Sequence, residues 1–281
     1  MTSINPDIFK AYDIRGLVPD QFSPEVARQV GRAFVDYLGA RRIAVGRDCR
    51  TSSPEIAAAF VAGARSQGCD VVDVGVVGTD ILYFAVGRHD LEGGAIVTAS
   101  HNPREWNGIK LVRRGALPLS GDAGIGEIRD GLMEGRYEET PPPAGSLDTE
   151  SLVADYATHC LSFVDPALIP PLSVVLDTAN GMGAVGGGAI FDRLSVRTVR
   201  MYFELDGTFP NHPADPLLEE NRRDVVERVR VEGAELGIAW DGVADRCFFV
   251  DDTGTYVPGD FITALLGEAF ARDEPGAKII Y

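Results

Sequence analysis

The sequence predicts an α/β protein of tandem domains, each a mixed, mostly parallel sheet between helices. Three observations lead there. Short apolar runs alternate with longer stretches of helical period, the pattern of strand–helix–strand units with parallel strands. The 281 residues exceed what one core normally holds, and 45% of them are apolar, enough for about two. The proline-rich stretch Thr140–Ser146 reads as a linker. The expected divisions are residues 1–145, 146–254 and 255–281, the last only the opening of a third unit.

In chain order, the first 22 residues form a loop rich in aromatic, acidic and basic side chains, in which Asp13 and Arg15 can pair. Ser23-Pro24 starts a helix, serine as N-cap and proline at the first helical position. Val26, Val30, Phe34 and Leu38 follow at helical spacing as far as Gly39. Ile43–Gly46 is a strand, and Ser53-Pro54 repeats the helix start ahead of the stripe Ile56, Phe60, Val61 and Ala64. Val71–Val74 completes a strand–helix–strand unit. Ala95–Val97 is a buried strand after Gly93-Gly94, and Asn107–Val112 is a turn into another. Beyond the linker, Ser151–Phe163 is helical, Val174–Asp177 a strand, Met182–Leu194 a glycine-rich helix and Val196–Phe203 a strand. Asn221–Val231 is a charged amphipathic helix, and Leu236–Trp240 the next strand. A helix over Asp260–Ala271 and a strand from Ala277 open the third unit. A domain does not end on its first buried strand, so a longer protein is expected.

Composition narrows the function. Lys and Arg number 26 against 42 Asp and Glu, a formal charge of −16, which disfavours nucleic acid and anionic membranes as partners. Cys49, Cys69, Cys160 and Cys247 are scattered and read as small apolar residues of a reducing compartment. With no signal-peptide pattern and no run long enough to span a bilayer, a cytoplasmic protein is expected.

Two stretches carry chemistry. Thr98–Pro103 places Ser100 where a buried strand ends, the position at which open α/β sheets bind ligands. A lone serine needs a base, a metal or a phosphate already attached, and no Gly-x-Ser-x-Gly elbow surrounds it. A turn whose side chains merely satisfy backbone groups is the other reading. Asp241 and Asp245, four apart in a glycine-containing loop after a strand, can converge on a hard cation such as Mg²⁺, with Arg246 suited to a phosphate oxygen. A solvated acidic loop is the bland alternative. His212, in a turn-rich loop, has the setting of a capping or bridging residue. Gly181–Gly186 matches Gly-x-Gly-x-x-Gly, but Thr178–Asn180 separate it from the strand, so close helix–sheet packing competes with nucleotide binding.

Taken together, Phe9–Gly16 (FKAYDIRG), Gly46–Ser53 (GRDCRTSS), Thr98–Pro103 (TASHNP), Asn107–Lys110 (NGIK) and Asp241–Arg246 (DGVADR) resemble the α-D-phosphohexomutases, in particular the bacterial phosphomannomutase/phosphoglucomutase group. The resemblance implies a four-domain enzyme whose first three domains share a related α/β fold. It implies that Ser100 carries a phosphate, that Ser100, Asp241 and Asp245 hold Mg²⁺, and that Arg246, Tyr12 and Asn102 contact phosphate or substrate. Lys110, His101 and Arg15 would then move protons or hold charge near the transferring group. The implied reaction passes phosphate from Ser100 to a mannose or glucose phosphate, giving a bisphosphorylated sugar that reorients and returns its other phosphate. Phosphoglucosamine mutase is the sister activity, and a non-catalytic phosphosugar-binding homologue the alternative from another class. One departure stands out. The family's loop is Asp-x-Asp-x-Asp-Arg and the middle acid here is Val243, which is expected to weaken Mg²⁺ at least about tenfold, ~1.4 kcal/mol. The family's later substrate loops lie beyond Tyr281, so this chain alone is expected to be inactive as a mutase.

Overall fold

The computed structural model describes residues 4–137 and 144–280. Its first sheet is built from β1 (Ile14–Leu17), β2 (Arg42–Arg47), β3 (Asp70–Val76), β4 (Gly93–Val97), β5 (Trp106–Arg113), β6 (Leu117–Pro118) and β7 (Leu147–Thr149). The order is β1-β5-β4-β2-β3-β7, with β6 beside β5. The strands β4, β2, β3 and β7 are parallel, while β5 runs antiparallel to both β4 and β1. Helices α1 (Pro24–Leu38), α2 (Ser53–Ser66) and α4 (Ile125–Met133) pack on one face, and α3 (Thr79–Arg88) on the other. Ser23 caps α1 through its side chain and Gly39 ends it at φ +61, as the sequence pattern predicts.

The second sheet has the order β12-β11-β10-β8-β9, from β8 (Ser173–Asp177), β9 (Arg197–Met201), β10 (Leu236–Trp240), β11 (Cys247–Asp251) and β12 (Tyr256–Val257). Its centre, β10-β8-β9, is parallel and its β11-β12 flank antiparallel. Helices α5 (Val153–Leu161), α6 (Gly186–Phe191) and α7 (Arg223–Glu232) accompany it, and α8 (Gly259–Asp273) follows. The α7 face encloses Val175, Val225, Val229 and Ala239, and the opposite face Val174, Leu176 and Ile238.

Several expectations need correction. The expected cap Ser53 lies inside α2 and gives its Oγ to Asp48, and Ser52, which precedes the helix, accepts from Asn107 Nδ2 (2.8 Å) and makes no capping bond. Asn107 and Gly108 lie inside β5 rather than in a turn, since β1 and β4 both pair with that strand. The helix expected over Met182–Leu194 is instead a 3₁₀ turn at Met182–Ala184 followed by the short α6, which itself opens with three glycines. The linker falls mostly on residues 138–143, outside the described ones. β7 pairs with β3, so the first sheet includes residues up to Thr149. No strand forms at Ala277 among the described residues; a strand needs a neighbour, and no sheet pairs with this segment. Of the cysteines only Cys69 is buried, while Cys247 is exposed. Among the described residues no helix is long and apolar enough to cross a membrane.

Candidate active site at the meeting of two sheet edges

Parallel strands put their carboxyl ends at one edge, and both sheets turn that edge toward the same place. From the first sheet, β4 delivers Thr98–Ser100 and β2 delivers Asp48, whose N–H donates to Val97 O at 2.9 Å. The Asp48 carboxylate is buried and fully engaged. Oδ1 accepts from Ser53 Oγ (2.5 Å) and Arg50 N–H (3.0 Å), and Oδ2 accepts from Thr98 Oγ1 (2.7 Å). Thr98 Oγ1 in turn accepts from the Ser100 N–H at 2.9 Å. Ser100, only 3% exposed, is thereby held at φ +52, a left-handed conformation that costs a non-glycine residue on the order of 1–3 kcal/mol.

From the second sheet, β10 delivers Asp241. Its loop is pinned by Asp241 N–H to Arg246 O (3.1 Å), Gly242 N–H to Ala214 O (3.2 Å) and Met182 N–H to Gly242 O (3.1 Å). Gly242 has to be glycine here, since a Cβ would lie 2.5 Å from Ser100 O. That approach lets Ser100 Oγ donate to Asp241 Oδ2 at 2.6 Å across 141 residues of chain. Lys110 on β5 pairs with Asp245. Arg246 Nη2 lies 3.3 Å from Asp241 Oδ2, and its Nε 3.9 Å from Asp245 Oδ1. His101 Nδ1 is 3.3 Å from Ser100 Oγ, and Arg15 bonds Asn102 and Asp13.

Burial, then the charge of Asp245, raises the Asp241 carboxyl above the usual carboxylate range. For Asp245 burial pulls the same way, but the Lys110 ammonium outweighs it and the net shift is down. Burial, followed by the Arg246 charge, lowers His101, so its imidazole is neutral at neutral pH and can accept a proton. The site thus gathers the Ser100 hydroxyl, the His101 imidazole, the carboxylates of Asp241 and Asp245, and the cations Lys110, Arg246 and Arg15 in one cluster. Beside it a cavity of ≈ 480 Å³ opens between His101–Glu105 and the second-domain segment Thr208–Leu218.

Models for domains I and II of phosphoglucomutase/phosphomannomutase, each described as α/β/α, match residues 6–136 and 154–254. This chain belongs to that family. A phosphohexose mutase of Xanthomonas campestris is 41% identical over 277 residues, covering 97% of this chain and 61% of the relative. A phosphomannomutase of Escherichia coli is 38% identical over 284 residues, with 97% and 61% covered. The crystal structure of a phosphoglucomutase/phosphomannomutase family protein from Burkholderia thailandensis superposes with a TM-score of 0.90 at 35% identity, covering 98% of this chain and 61% of that one. The chain therefore spans about 61% of the length of the relatives it matches.

Of the residues expected at a phosphohexomutase site, Ser100, His101, Asn102, Lys110, Arg15, Asp241, Asp245 and Arg246 come together. Tyr12 does not; its side chain is 77% exposed, beside Lys10, Asp122 and Arg129. Among the described residues no group of three or more acidic, His or Cys side chains gathers to hold a metal. The donors present nonetheless fit Mg²⁺, which needs only one or two carboxylates with a phosphate and waters. Ser100, Asp241 and Asp245 are the residues that would hold it. Val243 is fully buried against Val72, Val74, Val77 and Ile81 beneath α3, and its carbonyl accepts from Thr79 N–H (3.2 Å). The glycines of Gly181–Gly186 serve packing: a Cβ on Gly181 would strike Gly242 O at 2.8 Å, and one on Gly183 the Trp240 side chain at 3.0 Å. His212 bridges, with Nε2 3.0 Å from Asp177 Oδ2. Sequence reasoning gave no role to Asp48, Thr98 or Gly242, although the segment GRDCRTSS stood among the motifs.

Proposed function

We propose that this chain carries the phosphoryl-transfer half of a phosphohexomutase acting on a mannose or glucose phosphate, with Ser100 as the phosphoryl carrier. The observation that supports this above the rest is the 2.6 Å bond between Ser100 Oγ and Asp241, made by two domains converging on one hydroxyl. In the forward step the bond between Ser100 Oγ and phosphorus breaks while the sugar hydroxyl oxygen bonds to phosphorus, and the hydroxyl proton leaves to a base. His101, neutral and adjacent, is the acceptor we assign to that proton. Lys110, Arg246 and Arg15 hold negative charge on the transferring oxygens, and positioning with electrostatics supplies most of the rate. The bisphosphorylated sugar then returns its other phosphate to Ser100. Mg²⁺, when bound, would neutralise charge on the phosphoryl oxygens. Phosphoglucosamine is the sister substrate.

The four free cysteines and the acidic surface suit a cytoplasmic enzyme of a small molecule rather than of nucleic acid or membranes. A second reading, a phosphosugar-binding homologue that does not turn over, is favoured by Val243 in place of an acid. Because the chain spans about 61% of its relatives, phosphate uptake by Ser100 is the activity to test first, net isomerisation second. Incubation with glucose 1,6-bisphosphate should add one phosphate by intact mass, mapping to Ser100 and absent in Ser100→Ala. No uptake, or uptake at another residue, would sink the carrier reading.

A further inference from the structure

Arg50 is unusual among charged residues in having a side chain with no exposed surface at all. A buried guanidinium needs partners, and here four of its five N–H groups donate hydrogen bonds, while Nε faces the Asp48 carboxylate as an ion pair without making one. Nη1 donates to Pro103 O (2.8 Å) and Trp106 O (3.2 Å), and Nη2 to Ser100 O (2.9 Å) and Asn102 O (2.7 Å). Nε lies 3.2 Å from Asp48 Oδ2. Four of these five acceptors are backbone carbonyls of a single loop, the one that carries Ser100.

The donor directions of a planar guanidinium are fixed, so it locks the relative positions of the carbonyls it spans. A lysine ammonium has the charge but not the span. The second domain closes over the same group. The Phe209 ring, on a backbone at φ +51, lies 5.0 Å from the guanidinium carbon. Gly207 rests flush on Arg50, a Cβ there falling 2.3 Å from Arg50 Cα.

We propose that Arg50 is a positioning residue: spanning the carbonyls of Ser100, Asn102, Pro103 and Trp106, it holds Ser100 with its Oγ toward Asp241, and Phe209 seals it when the second domain docks. Its kinetic consequence rests on the phosphoserine reading above; its structural consequence does not. With no exposed side-chain surface Arg50 cannot reach a substrate, so it acts on the rate of transfer and not on sugar affinity.

The test is Arg50→Lys in the 281-residue chain, read by amide hydrogen exchange and by phosphorylation with glucose 1,6-bisphosphate. Exchange over residues 98–106 is expected to quicken at least about tenfold, with α1 and β10 unchanged. The maximal phosphorylation rate should fall about 100-fold while half-saturation stays within about twofold, the signature of misplacement rather than lost binding. Unchanged exchange in 98–106, exchange raised throughout the chain, or a weakened half-saturation at full rate would each overturn the proposal. Should the wild-type chain take up no phosphate, the carrier reading fails, and the exchange measurement still decides the role of Arg50. If Arg50→Lys does not fold, Phe209→Leu carries the same test, with faster exchange confined to 98–106 supporting it and no local change overturning it.

Discussion

Ser100 sits in a left-handed conformation on a buried loop, and nothing in its own chemistry would keep it there. Thr98 Oγ1 accepts a hydrogen bond from its N–H while Asp241 accepts one from its hydroxyl, so the two ends of the residue are held by different domains. Val243, next but one to Asp241, is the residue where this loop departs from the pattern. Its side chain is sealed under α3, so an acid there has two opposing effects. Val243→Asp should lower the stability of the metal-free chain by about 1–3 kcal/mol through an unsatisfied buried carboxylate. It should also strengthen Mg²⁺ binding about tenfold, ~1.4 kcal/mol, because reaching the cation turns the carboxylate out of that apolar cluster. Thermal unfolding without metal and isothermal titration with Mg²⁺ separate the two; equal affinities in both proteins would refute the second effect.

At the scale of elements, the first domain depends on two helices whose backbones approach directly where they cross. Gly31 of α1 and Gly63 of α2 face each other's backbone: a Cβ on Gly31 would lie 2.3 Å from Phe60 O, and one on Gly63 2.0 Å from Arg28 O. An exposed helical glycine gains about 1 kcal/mol when changed to alanine. Forcing apart two packed helices costs about 1–3 kcal/mol, and the obstacle here is backbone that cannot rotate away. Gly63→Ala is therefore expected to destabilise the chain by a net of up to about 2 kcal/mol in urea unfolding. A midpoint at or above that of the wild type would contradict the packing argument. The helix-period stripes of α1 and α2 were plain in the sequence, but the crossing that makes these two glycines matter was not. Periodicity tells which face is buried and not what it is buried against.

For the molecule as a whole, one buried ion pair ties stability to pH. His212 Nε2 faces Asp177 at 3.0 Å and Nδ1 faces Pro213 O at 2.9 Å, so both nitrogens meet acceptors and the imidazolium satisfies both. Burial alone would lower the His212 pKa, but the hydrogen bond to Asp177 and its charge outweigh it and the net shift is up. A pKa raised on folding gives stability that is complete below the ordinary histidine value and is lost as pH rises through the folded one. The expected loss is about 1.5–3 kcal/mol, the range for a hydrogen bond to a charged group. The unfolding midpoint of the wild type should fall as pH rises above the ordinary histidine range, and that part of the slope should be missing in His212→Gln. Parallel profiles for the two proteins would exclude the pair as the cause.

The sequence by itself pointed to the strands that end at the site, to the start of α1, and to Ser100, Lys110, Asp241, Asp245 and Arg246 as candidates. Alternation, caps and short motifs are local, and local chemistry leaves marks in local sequence. Only the tertiary structure decided that Asp48 and Arg50 scaffold the serine loop, that Val243 faces an apolar cluster, and that Gly242 admits Ser100. Those facts depend on two sheet edges meeting, β4 against β10, and a contact across 141 residues is fixed by packing, which no window of sequence contains.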